Sequence, residues 1–259
     1  MTGSLHTSLP VESERSEAAL AGLLPPASPA AARDDVAVLL LVDVTSRSRL
    51  WGWSRVMLGA RALRCVPGLR LAKALGSGHQ GGFGLRPSPS RQGLFTLFVS
   101  ERQADDFIQR SPVVAGYRER AREFLLVKLR ATDCRGTWSG ASVGVSASAP
   151  VDGPVAALTR ASIRPLRAWS FWRHSPASEA ALASADGCRL SVGLGEAPVL
   201  RQATFSVWDN QAAMDAYARS GAHLQAIRGA LAGDWFSESM FVRFVPLQLQ
   251  GCWQGRHYG

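Results

Sequence analysis

Gly187-Cys188-Arg189-Leu190, reaching Gly195 and followed by Arg201-Gln202-Ala203-Thr204-Phe205-Ser206-Val207-Trp208, repeats an earlier pattern in the same chain. That earlier copy is Gly68-Leu69-Arg70-Leu71, reaching Gly76 and followed by Arg91-Gln92-Gly93-Leu94-Phe95-Thr96-Leu97-Phe98. Each copy runs on through a helical stretch to a Gly-x-Trp-x-Gly, at residues 136–140 and 251–255. Arg91 and Arg118 are spaced as Arg201 and Arg228 are, so register is kept across a whole helical unit. Repeats of this length exceed a solenoid module. The chain reads as two folded halves packed against each other.

Outward from the repeat, Val36–Val44 is apolar throughout and rich in Val and Leu, as a strand buried on both faces requires. Val155–Ile163 is its counterpart, with Val36 aligned to Val155 and Leu39 to Leu158. Helices are expected over 51–63 and over 169–172 with 178–182, where Ala, Leu, Met and Arg dominate and Pro67 and Gly187 stop them. Short strands are expected near 70–75, 94–99, 189–194 and 203–207, and closing strands at 125–129 and 240–245. Ser100 and Gln103 form a capping box, and Asp209 or Asn210 caps the matching helix. Ser111-Pro112 and Ser220-Gly221 each interrupt a helix and start a second short one.

Each half therefore runs strand, helix, strand, strand, helix, strand, the pattern of a ferredoxin-like unit. One such unit leaves a sheet face open, and a tandem pair covers both by pressing the sheets together. The expected class is α+β: tandem ferredoxin-like repeats forming a single-chain α+β barrel of the kind usually built by a dimer. Residues 1–33 read as a disordered tail, 34–140 as the first half, 141–153 as a linker and 154–259 as the second half.

Formal net charge is +9, and all but Lys73 and Lys128 of the 29 basic residues are Arg, dispersed along the chain. Dispersed charge is ordinarily a solvated surface, but it also suits an acidic protein or an anionic membrane. No basic run or nucleic-acid motif occurs, so a nucleic-acid partner is not expected. Cys65, Cys134, Cys188 and Cys252 lie far apart without a Cys-x-x-Cys, which argues for a reducing cytoplasm over a disulfide framework or zinc site. The Gly-rich stretch 76–84 lacks the spacing of a phosphate-binding loop.

Packing demands fall on both copies, so a polar residue found in one copy alone is the better site candidate. His223 aligns with Val113, Glu196 with Ser77, and the connection from Gly76 to Arg91 is longer than that from Gly195 to Arg201. His223 stands in the first turn of its expected helix, where the positive helix end favours the neutral, metal-binding imidazole. His79, in the long loop, is a second candidate. His174 and His257 read as surface residues.

Several segments then resemble the spheroidene monooxygenase (acyclic carotenoid 2-ketolase) family. They are Arg49-Leu50-Trp51-Gly52-Trp53, Arg135-Gly136-Thr137-Trp138-Ser139-Gly140, Gly153-Pro154-Val155-Ala156-Ala157-Leu158-Thr159-Arg160-Ala161, Gly195-Glu196-Ala197-Pro198 and Gly221-Ala222-His223 with Ala226-Ile227-Arg228. The resemblance extends over about residues 36–257. It implies a haem-dependent monooxygenase that uses O₂ and electrons from a ferredoxin-type donor on a lipophilic, carotenoid-like substrate. Hydroxylating one carbon twice and losing water would leave a ketone. On this reading His223 is the axial iron ligand, Glu196 delivers protons or bonds substrate, His79 is a further catalytic candidate, and Arg160 and Arg228 pair with haem propionates. Two other readings stay open: a haem enzyme tailoring a different small molecule, and a non-enzymatic haem or lipophile carrier. A lipophilic substrate also leaves room for peripheral membrane contact.

Overall fold

The computed structural model describes residues 33–82, 86–146, 152–197, 199–219 and 221–259. The tail expected over 1–33 lies outside them except for Arg33, as do Ser220, Pro198, residues 83–84 of the Gly-rich stretch and 147–151 of the expected linker. The first half contains β1 (Val36–Val44), α1 (Arg49–Leu58), β2 (Leu69–Gly78), β3 (Pro87–Phe98), α2 (Glu101–Arg110), α3 (Pro112–Arg120) and β4 (Ala121–Gly136). The second contains β5 (Val155–Ile163), α4 (Ala168–Ala183), β6 (Cys188–Ala197), β7 (Arg201–Trp208), α5 (Gln211–Ala218), α6 (Gly221–Ala232), β8 (Phe236–Trp253) and the short β9 (Arg256–Tyr258).

The strands form one antiparallel sheet in the order β4-β1-β3-β2-β6-β7-β5-β8-β9, and β4 also pairs with β8, closing eight strands into a barrel. The two seams differ. β4 and β8 are zipped from Leu125↔Gly251 to Gly136↔Met240. β2 and β6, among the described residues, meet only at Gly76↔Gly195 and Ser77↔Leu194, with the Ser77 hydroxyl donating to the Gly193 carbonyl at 2.8 Å. The long seam explains why β4 and β8 far exceed the expected 125–129 and 240–245. Their polar residues, Arg130, Asp133 and Arg243 among them, pair strand to strand rather than ending the sheet.

Closure gives each strand an inward and an outward face. Ala37, Leu39 and Leu41 of β1 join Phe95, Val127, Leu158, Phe205 and Val242 in the interior. Val36, Val38, Leu40 and Val42 face α1–α3 with Phe98, Phe107 and Tyr117. Both faces of β1 are thus buried, as its unbroken apolar run requires.

Local signals act as their chemistry dictates. Ser111 accepts from Val113 N at 3.2 Å with Pro112 in the first turn, and Asn210 accepts from Ala213 N at 2.9 Å. Ser100 accepts from Gln103 N, but its hydroxyl then donates to the Gln103 side chain, so the capping box forms without the reciprocal backbone bond. The expected helix over 51–63 divides into α1 and a 3₁₀ segment, Gly59–Leu63. The two helical pieces expected at 169–172 and 178–182 are one helix, α4, across position 176.

The Gly-x-Trp-x-Gly motifs are hairpin turns that plug the barrel. Ser139-Gly140 and Gln254-Gly255 all hold positive φ, as a two-residue turn of mirror-image type requires. The turns bury Trp138, stacked on Phe95 at 5.3 Å, and Trp253, over which Arg91 lies at 5.5 Å. Trp138→Ala is expected to lower unfolding free energy by about 3–5 kcal/mol, measured by urea denaturation. A loss below about 1 kcal/mol would show that Trp138 does not close the core.

Candidate functional site

The two halves cover their outer sheet faces differently. In the first, Val38 pairs with Thr96 and Leu40 with Leu94, and Val42 completes the row. The same positions in the second half are Ala157 with Ser206, Thr159 with Thr204, and Ala161. Each change removes volume or apolar surface, and the helices do not collapse onto the smaller floor. Leu40 is fully buried whereas Thr159 is exposed. The result is a cavity of about 600 Å³ between the second half's sheet and α4–α6, within the usual range of roughly 300–1,000 Å³ for ligand sites.

His223, the third residue of α6, lines this cavity. Its ring stacks on Tyr217 of α5 at 4.7 Å and 29°, and Tyr217 in turn lies 5.3 Å from Trp208. The Tyr217 hydroxyl donates to the Ser178 carbonyl of α4 at 3.1 Å, tying α5 to α4 beside the imidazole. Burial lowers the His223 pKa to about 4, so the ring is neutral at physiological pH. The sequence pointed to the helix end as the cause, but desolvation accounts for the shift.

Cations stand at the same end of the cavity. Arg219 reaches Asp215 at 3.4 Å, and Arg243 reaches it at 3.7 Å. The first-half counterpart of the second pair is Lys128 with Asp105 at 2.8 Å, so a shared ion pair has been lengthened where the cavity opens. The opposite end is aromatic, with Phe171 and Trp172 of α4 and Trp235 and Phe236 before and in β8.

His174 also lines the cavity, 5.3 Å from the Trp235 ring, with Nδ1 at 2.8 Å from the Ser170 carbonyl. It is not the surface residue the sequence suggested. A carbonyl can only accept, so Nδ1 is the donor in that bond. Among the described residues no three His, Cys, Asp or Glu cluster together. None of the four Cys lines the cavity.

The other expected site residues are not brought to His223. Arg160 borders the cavity through its place in β5, but its guanidinium binds Glu238 and lies 5.8 Å from the Trp138 ring, at the barrel end. Although burial raises the Glu238 pKa, bonds from Gly140 N–H and Thr137 and the Arg160 charge bring it down to about 2. Arg160 is thus already ion-paired. Arg228 is exposed on α6, away from the cavity. His79 is exposed on a 3₁₀ turn, His79–Gly81, and lines neither this cavity nor a smaller one. Glu196 lines that smaller cavity, of about 340 Å³, where it accepts from Trp138 Nε1 and meets Lys73 at 3.2 Å.

No family model matches the chain. The chain is 60% identical over 225 residues to a spheroidene monooxygenase of Rubrivivax gelatinosus, covering 87% of each protein. It is 34% identical to a spheroidene monooxygenase of Rhodobacter capsulatus, covering 85% of this chain and 94% of that one. Among solved structures an aldoxime dehydratase has a similar fold, with a TM-score of 0.56 at 8% identity, over 86% of this chain and 84% of the other.

The burial of His223 has a pH signature. An unfolded His223 binds a proton near its ordinary 6.5, whereas the folded ring stays neutral down to about 4. Across that window the unfolded chain holds the extra proton, so stability falls as pH drops from 6.5 toward 4. His223→Phe keeps a ring against Tyr217 and cannot be protonated, so it should remove up to roughly 3 kcal/mol of that acid dependence. Urea denaturation over a pH series checks this. Equal slopes in both proteins would contradict a buried neutral imidazole.

Proposed function

The chain belongs to the spheroidene monooxygenase family, and from that premise we propose that it is a haem-dependent monooxygenase acting on one end of an acyclic, carotenoid-like chain. Two hydroxylations of one carbon and loss of water would make the product a ketone. The carrying observation is the cavity hollowed out of the second half alone and walled by a neutral imidazole. One imidazole supplies one metal ligand, which suits a metal that arrives inside a macrocycle. Three-ligand protein sites are not assembled among the described residues. We read the two halves, each with four strands in the order outer, inner, inner, outer, as tandem ferredoxin-like units.

The residues present fit haem. His223 would hold the iron, and Arg219 and Arg243 would face its carboxylates, since guanidinium forks match carboxylate geometry. Bound haem supplies the reductive activation of O₂ that side chains cannot. The protein's own part is to bind, orient and keep dry. Phe171, Trp172, Trp235 and Phe236 offer aromatic walls to an apolar chain, and the small residues Ala157 and Ala161 keep the floor flat. Thr159 and Thr204 carry hydroxyls on that floor that can donate to or accept from a polar group introduced on the substrate.

Two partners follow from the surface. A net charge of +9 favours an acidic, ferredoxin-type electron donor. Exposed Leu50, Trp53, Met57 and Leu58 on α1, with Arg49 and Arg55 on the same helix, suit peripheral contact with an anionic membrane that carries the lipophilic substrate. No helix among the described residues is long and apolar enough to cross a membrane.

Haem titration followed by the Soret band tests the ligand. Wild type and His174→Ala should show a saturable red shift, His223→Ala should lose it, and Arg243→Ala should bind roughly tenfold more weakly. An unchanged spectrum in His223→Ala together with a lost one in His174→Ala would move the ligand to α4. No saturable shift in wild type would remove haem from the reading.

A further inference from the structure

The smaller cavity lies over the weak seam of the barrel, where Gly76 faces Gly195. Its floor is backbone, from Gly76, Gly193 and Gly195, and Trp53, Val56 and Met57 of α1 form one wall. Trp172 and Gln202 belong to the lining of this cavity and of the His223 cavity alike, so the two spaces adjoin across these side chains. Trp172 is fixed there by donating from Nε1 to the Val199 carbonyl at 2.9 Å. Val199 holds φ +73, a conformation that β-branched residues rarely adopt, in the turn that presents that carbonyl. Trp53, Met57 and Val199 gather at the rim, with relative exposures of 45%, 77% and 38%. A cluster of exposed apolar side chains around a concave opening is the mark of a binding groove.

We propose that this groove is a distal subsite for the same substrate, holding the far stretch of a linear unsaturated hydrocarbon chain whose reacting end lies beside His223. The inference rests on the function proposed above and adds where the rest of the chain goes. Trp172 and Gln202 are the junction through which the chain passes. A continuous, mostly apolar ligand suits both spaces, because the shared side chains put the groove in series with the larger cavity and the Glu196 carboxylate in its lining is already held by Trp138 and Lys73.

Gly76 allows a direct test. A Cβ added there meets nothing nearer than the Gly195 carbonyl at 3.9 Å, so the backbone admits a side chain at this position, and Gly76→Leu is chosen to fill the groove. Met57→Glu places a charge on the opposite wall at a position already exposed. Binding is read by tryptophan fluorescence quenching with two probes in detergent: spheroidene as the long chain and farnesol as a short one. Both variants should weaken spheroidene at least tenfold, leave farnesol within twofold and keep the wild-type circular dichroism. Wild-type affinity for spheroidene in both folded variants would overturn the subsite while leaving the proposed function standing. Equal weakening of both probes would also overturn it, because the groove would then not be distal. If wild type bound neither probe, the substrate class itself would fall, and the subsite with it.

Discussion

The hydrogen-bonded ladder between β4 and β8 is the constraint from which the rest follows. By joining the last long strand of each half it closes eight strands and commits one face of each to a common interior. Only the outer faces remain for anything else, and helices must cover them. The second seam, between β2 and β6, carries little of this load, and its Gly-lined gap leaves room for a groove. Hydrogen bonding is thus concentrated at one seam, and the smaller cavity lies over the other.

The two halves then differ in how the space under their helices is filled. The first half fills the space under its helices with Leu63, Leu94, Phe98, Phe107 and Tyr117, and so forms a compact core. The second half is left with a smaller cluster around Val155, Leu182, Trp208 and Met214, beside a cavity. Apolar burial contributes roughly 25 cal/mol per Å², so the hollow half forgoes stability that the shared interior and the filled half supply. An imidazole buried without a charge partner fits the same pattern, since it costs free energy as pH falls and brings the neutral donor a metal requires.

Much of the scaffold was legible in the residues. The apolar run Val36–Val44, the paired Gly-x-Trp-x-Gly turns and the Ser111-Pro112 break depend on local chemistry, and local chemistry is written in sequence. The lengths of β4 and β8 were not, because they are set by pairing with each other, and that long-range contact rescues polar positions such as Asp133 and Arg243. The contrast of His223 with Val113 led to a residue that lines the larger cavity, whereas that of Glu196 with Ser77 led to the smaller one. Arg228 has a counterpart in Arg118, which by the same logic pointed to scaffold. The stronger signal was loss of volume, at Ala157, Thr159 and Thr204 opposite Val38, Leu40 and Leu94, and it shows only once register fixes which side chains face outward. His174 was missed because only the depth of the cavity brings a helix histidine out of solvent.

We propose that the smaller side chains on the second half's outer face leave room for a cofactor. Restoring the first half's side chains with Ala157→Val, Thr159→Leu and Thr204→Leu should refill the floor, and a haem titration of this triple variant followed at the Soret band is the direct test. No saturable shift is expected from this variant, which should still unfold cooperatively, although His223 is intact. Haem binding with wild-type affinity and spectrum would contradict it.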